Sequence, residues 1–93
     1  MYFDSDAIRL KVGTGWTEVT LVGEVGVVAT RRGYVPAIEV DRGQVRHLFL
    51  VGAASLGGPL EDLRLKMGSL DGVCIKIRKV GEAPTSPYEV AVI

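Results

Sequence analysis

The side chains that could carry out catalysis are few and isolated in this sequence. His47, the single His, lies in the apolar residues 45–51, and no Cys or Asp is its evident partner in sequence. Cys74, the single Cys, has Lys76 nearby, which would favour the thiolate, but a single strand cysteine is typically inert. Catalysis needs a nucleophile with a base, a carboxylate pair or a metal. We therefore expect no enzyme activity, no cofactor and no metal site.

Neither the short glycine motifs nor the adjacent acids indicate a nucleotide-binding or hydrolytic site. Residues 57–59 (Gly-Gly-Pro) lack the Lys and Ser or Thr of a P-loop, and residues 13–15 (Gly-Thr-Gly) lack the third Gly of a dinucleotide fingerprint. We interpret residues 61–62 (Glu-Asp) as the first turn of a helix, and Glu39 with Asp41 as a hairpin end. Binding is the class of function that remains.

The charges are unevenly distributed, although eleven Lys and Arg balance eleven Asp and Glu. A zero net charge excludes a polybasic mode of binding, but residues 25–79 alone carry nine bases and five acids. Bases in such a stretch neutralise phosphates without reading sequence. They also keep hairpin ends and strand faces soluble, and this second interpretation stays open. The bases we predict in a nucleic-acid site are Arg31, Arg32, Arg42, Lys76, Arg78 and Lys79.

Single-strand binding also needs rings on which bases can stack. Our candidates are Trp16, Tyr34 and Phe49, with His47 beside Phe49. In residues 45–51 we favour the register that turns His47 and Phe49 outward, because the opposite register exposes two leucines. Tyr34 falls on the same side of its strand as Ile38 and Val40, and if those two residues face inward, Tyr34 belongs to the core. Trp16 follows a Gly-Thr-Gly loop and could cap a barrel end instead of contacting a nucleobase.

Valines in short alternating runs, separated by twelve Gly, predict a mostly β domain over residues 1–93. Alternation predicts strands over residues 7–12, 17–30, 34–40, 45–51, 73–80 and 88–93, the second of them long and bent at glycines. A helix over residues 60–67 begins after Pro59, with acids in its first turn and bases in its last, and Gly68 ends it.

This order of elements resembles the OB-fold, a five-stranded Greek-key barrel with one short helix between strands three and four, here with an extra N-terminal strand. Residues 70–79 (LDGVCIKIRK) followed by residues 88–90 (YEV) are similar to the last two strands of small phage and archaeal single-stranded-DNA-binding proteins. The resemblance covers residues 19–93. It implies binding of single-stranded nucleic acid, DNA rather than RNA, on the face of strands two and three and the adjoining loops.

Two interpretations from other observations accompany that expectation. Zero net charge and few aromatics fit a protein-interaction or assembly barrel, with a homo-oligomer or a protein partner at an edge strand. The absence of Asn and the single Gln fit either a protein that functions at high temperature or the base composition of a GC-rich genome. One Cys and no long apolar run predict a cytoplasmic protein with no membrane contact.

Overall fold

Turn residues and hydrophobic alternation divide the chain into six strands and one helix. A computed structural model describes all residues, 1–93. Its elements are β1 (Tyr2–Phe3), β2 (Thr17–Thr30), β3 (Gly33–Arg42), β4 (Val45–Leu50), α1 (Ala54–Met67), β5 (Cys74–Lys79) and β6 (Tyr88–Val92). The prediction of a mostly β chain with one helix is confirmed.

The strands form one open sheet in the order β4-β3-β2-β5-β6, in which these neighbours pair antiparallel. β2 is central because it pairs with β5 through its first residues and with β3 along most of its length. The register between β2 and β3 shifts between Val22 and Gly26, and Gly23 has a φ of 69°, which favours glycine. One long strand can therefore bend and serve both halves of the sheet.

The main hydrophobic core lies on one face of this sheet, under the helix. Alternate residues of β2 to β5 point into it, including Leu21, Ile38 and Ile75, and α1 adds Leu56 and Leu60. Because side chains alternate between the two faces of a strand, the intervening residues lie on the outer face.

The predicted strand over residues 7–12 is wrong. Only Arg9 forms a bridge there, parallel to Leu48, with the N–H of Leu10 donating to the Leu48 carbonyl and the N–H of Leu48 donating to the Ile8 carbonyl. We call residues 1–10 the N-terminal arm. Its one strand is β1, which pairs in parallel with β2 near Val27. The arm crosses from β2 to the edge of β4, so its contact with each is too short for a longer strand.

The helix begins at Ala54, six residues before the predicted start at Leu60. Pro59 lies inside it rather than at its first position, and the acids of residues 61–62 fall in its middle. Leu56 and Leu60 lie one turn apart and are both buried, so core burial favours the longer helix over the local cost of Pro59. The predicted end is confirmed, since Gly68 has a φ of 82° and its N–H donates to the Arg64 carbonyl.

The outward orientation of Phe49 is also wrong. Its side chain is only 3% exposed and belongs to the main core, opposite Ile38 on β3. Leu48 is buried as well, on the outer face, in a small second cluster with Val28 and Ala37. Phe3 and Ala7 of the arm pack against that cluster, so β4 is covered on both faces.

No helix in the structure has the length and apolarity that crossing a membrane would require.

Candidate functional site

The outer face of β3 and β4, where we expected a nucleic-acid groove, does not form one. The arm covers part of it, and the uncovered part carries Glu39 and Asp41. Arg46 pairs with both, at 2.5 Å from the Asp41 carboxylate and 3.3 Å from the Glu39 carboxylate. The hydrogen bond to Asp41, followed by that to Glu39, raises the pKa of Arg46. Because two carboxylates face one guanidinium group here, this part of the surface does not attract the phosphates of a nucleic acid.

Two other predicted residues lie away from any basic groove. Arg42 ends β3, about 30 Å along the strand from the β2–β3 turn. His47 is half-buried beside the N-terminal arm, with its Nδ1 3.0 Å from the Val45 carbonyl oxygen. Neither side chain adds to a shared cationic surface with Arg31 and Arg32.

A cleft of about 590 Å³ lies between the β2–β3 turn and the start of α1. We call it the arginine cleft, because Arg9, Arg31 and Arg32 line it together with Tyr88 and apolar residues that include Leu50 and Leu56. A volume of this size is typical of sites that hold a small molecule or a segment of a larger one. The cleft thus contains two of the predicted bases, Arg31 and Arg32, together with Arg9 and Tyr88, which were not among the predicted residues.

The three arginines of the cleft have no negative partner. No carboxylate lines the cleft, and the ion pairs of the protein involve other arginines, namely Arg46, Arg64 and Arg78. Like charges that share a cleft repel one another, so an anion placed between them would be attracted to all three. Their guanidinium groups suit phosphate oxygens, which they can bind in a bidentate manner.

Local bonds hold the β2–β3 turn that carries two of these arginines. Thr30 Oγ1 donates to the Gly33 carbonyl at 2.8 Å and accepts the N–H of Arg32 at 3.1 Å. Gly33 has a φ of 100°, a conformation that favours glycine over other residues. The sequence Thr-Arg-Arg-Gly therefore forms a turn in which both arginine side chains are exposed.

The start of α1 forms another side of the cleft. The N-cap residue, Ala53, has no side-chain hydrogen bond to the first turn, and that turn contains no acidic residue that would compensate the helix dipole. The partial positive charge of a helix N-terminus therefore adds to that of the arginines. Ser55 Oγ accepts the N–H of Tyr88 at 3.1 Å, which fixes the start of β6 beside the helix and places Tyr88 at the cleft.

Lys79 lies next to the arginine cleft. Its Nζ is 5.7 Å from the centre of the Tyr88 ring, and the two residues are cross-strand partners on β5 and β6. Lys79 and the predicted Arg78 are neighbours on one strand, so they point to opposite faces. Lys79 thus reaches the Tyr88 ring but does not itself line the cleft; it lines a separate pocket together with Glu82.

Trp16, Lys76 and Arg78 form a separate cluster on the outer face of β5. Lys76 Nζ and Arg78 Cζ lie 4.7 Å and 4.5 Å from the centre of the Trp16 ring, as in cation–π contacts. Arg78 also pairs with Glu89 at 2.8 Å. Part of its charge is thus compensated within the protein, which distinguishes this cluster from the arginine cleft.

Tyr34 is not in the core, which corrects the parity argument. It is 69% exposed and contacts Tyr2 of the arm, because this end of the β2–β3 hairpin extends beyond the main core. Arg9 and Tyr88 are the residues of the arginine cleft that sequence reasoning missed. A Tyr that opens a strand after the 81–87 loop is a weak signal for Tyr88, and nothing local marks Arg9, whose position depends on the path of the arm.

No group of three or more His, Cys, Asp or Glu side chains is placed to hold a metal ion. In comparisons with known proteins, no family model, no curated protein and no solved structure matches the chain.

Proposed function

We propose that this protein binds single-stranded nucleic acid, DNA in preference to RNA, without strong sequence preference. The observation that carries the proposal is the arginine cleft, in which three guanidinium groups without carboxylate partners line one surface. Binding of this kind relies on phosphate contacts and needs no cofactor. The cleft replaces the outer face of β3 and β4 as the phosphate site.

The order of the strands supports the same proposal. The sheet is open because β4 and β6 do not pair, but we infer an OB-like barrel arrangement from its order, β4-β3-β2-β5-β6, with a bent β2 shared by both halves and α1 between β4 and β5. In such barrels oligonucleotides contact the loops that join strands one to two and four to five. The arginine cleft lies at the corresponding β2–β3 turn and at Tyr88, where the β5–β6 loop ends.

An aromatic ring within the cleft favours a nucleotide chain over a simple anion. Tyr88 lines the cleft beside the arginines and has Lys79 over its ring. The Tyr88 ring packs partly against the main core, so a nucleobase would contact the part of the ring that lines the cleft. A nucleobase stacked on an aromatic ring contributes about 1–3 kcal/mol, and the flanking phosphates can bind the arginines. The combination suits a single strand, whose bases are free to stack.

Fluorescence anisotropy with a labelled oligo-dT of about 15 nucleotides tests the proposal. At low salt we expect saturable binding by the protein, and a large loss of affinity when Arg31→Gln and Arg32→Gln are combined. Arg64→Gln is the matched control, because Arg64 is an exposed arginine on α1 that pairs with Glu61. An absence of binding at low salt, or equal losses in the control and the double variant, would contradict the proposal.

A protein-interaction subunit is the second candidate function. A groove of about 240 Å³ between α1 and β6 is lined by Leu63, Val90 and Val92 together with Pro59, Asp62 and Lys66, and β6 pairs in the sheet only with β5. A partly apolar groove with charged residues at an edge strand is a feature of association sites. Sedimentation equilibrium tests the self-associating form, for which the mean mass would rise with concentration above the chain mass of 10.0 kDa.

A further inference from the structure

Two exposed tyrosines lie together where the N-terminal arm meets the β2–β3 hairpin. Tyr2 is 77% exposed and Tyr34 is 69% exposed. Their ring centres are 5.7 Å apart and the ring planes make an angle of 65°, an edge-to-face arrangement. Because the rings meet at an angle and are largely exposed, ring surface on both remains free for another planar group.

The tyrosine pair lies next to the turn that carries Arg31 and Arg32. Tyr34 follows Arg32 by two residues, so their Cα atoms are at most about 7 Å apart. Val35, its neighbour on β3, lines the arginine cleft, and alternation along a strand directs Tyr34 to the opposite face. The pair and the cleft are therefore on two sides of one basic turn.

Pairing between the N-terminal arm and β2 holds Tyr2 in this position. Tyr2 is in register with Val27, whose N–H donates to the Met1 carbonyl at 3.0 Å. The arm also passes close to Gly26, where a Cβ would lie 2.7 Å from the Met1 carbonyl oxygen and 2.8 Å from the Phe3 ring. A residue without a side chain is thus required for the arm to lie here.

We propose that Tyr2 and Tyr34 form a base-stacking subsite for the nucleic acid whose phosphates occupy the arginine cleft. This inference rests on the proposed function. A strand that crosses the β2–β3 turn places phosphates near Arg31 and Arg32 and bases beside the tyrosines. The N-terminal arm is then part of the binding surface, since it supplies Arg9 on one side of the turn and Tyr2 on the other.

The test compares Tyr2→Ser, Tyr34→Ser and the double variant on two probes, oligo-dT and an abasic oligonucleotide of the same length. The abasic chain carries the same phosphates without bases. We expect the double variant to bind oligo-dT about tenfold more weakly, which is roughly 1.4 kcal/mol, and to bind the abasic chain as the unchanged protein does. Tyr→Phe at both positions should retain the affinity for oligo-dT. Leu65→Ser, at another exposed residue, is the surface control.

Each other outcome overturns the inference. If the serine variants bind oligo-dT within about twofold of the unchanged protein, the tyrosines do not stack on bases, although the proposed function stands. Parallel losses on both probes would mean that the tyrosines only hold the arm and Arg9 in place. If the unchanged protein binds neither probe, the proposed function fails and the subsite with it.

Discussion

If the arginine cleft binds a nucleic-acid strand as proposed, the salt dependence of binding measures how many phosphates it holds. For a single strand, the logarithm of the binding constant falls by about 0.7 per neutralised phosphate for each unit of log salt concentration. If Arg9, Arg31 and Arg32 each bind one phosphate, the slope is about −2. Raising the salt from roughly 50 to 200 mM then weakens binding about 20-fold.

Removing the two arginines of the turn should flatten this dependence. With Arg31→Gln and Arg32→Gln combined, only Arg9 remains, so we expect a slope of about −0.7 and a loss of about threefold over the same range. Anisotropy titrations of labelled oligo-dT at a series of NaCl concentrations give both slopes. Arg64→Gln should keep the slope of the unchanged protein, because its guanidinium already pairs with Glu61 on the helix surface.

Two results would refute this reasoning. A slope near zero for the unchanged protein would mean that phosphates do not bind to cations here at all. An equal slope for the unchanged protein and the double variant would place the phosphates elsewhere. The Trp16, Lys76 and Arg78 cluster would then be the next surface to test.

Two further predictions concern the core and the arm. Phe49→Ala should lower the free energy of unfolding by about 3–5 kcal/mol because the ring is buried in the main core, as measured by chemical denaturation; a loss under about 1 kcal/mol would contradict that burial. Gly26→Ala should displace the arm, because its Cβ would overlap the Met1 carbonyl and the Phe3 ring. We expect faster trypsin cleavage after Arg9 than in Gly58→Ala, whose Cβ meets no atom within 4 Å; equal rates would contradict the close packing at Gly26.

Strand positions could largely be predicted because they follow from local chemistry. The strand predicted over residues 17–30 is β2 with the same bounds, and the alternation of Ile75 and Ile77 with Lys76 identified β5. Glycines with positive φ mark the bend at Gly23 and the helix end at Gly68, where the sequence predicted both features. Alternation and turn chemistry act within a few residues, so they are readable in the sequence itself.

The start of the helix depended on the core rather than on local preference. Pro59 and its two preceding glycines indicate a boundary, yet the helix passes through them because Leu56 and Leu60 are both buried. The gain from burying two leucines is a tertiary contribution that no local pattern contains. Helix propensity is a weak guide in such a segment.

The sequence alone determined that β4 alternates, with Leu48 and Leu50 on one face and Phe49 on the other. Only the tertiary structure decided that both faces are covered, because the second cover is the N-terminal arm, far from β4 in the chain. The same path brings Arg9 to Arg31 and Arg32 and leaves them without an acid. Alternation specifies which residues share a face, whereas the neighbours of that face depend on how the whole chain folds.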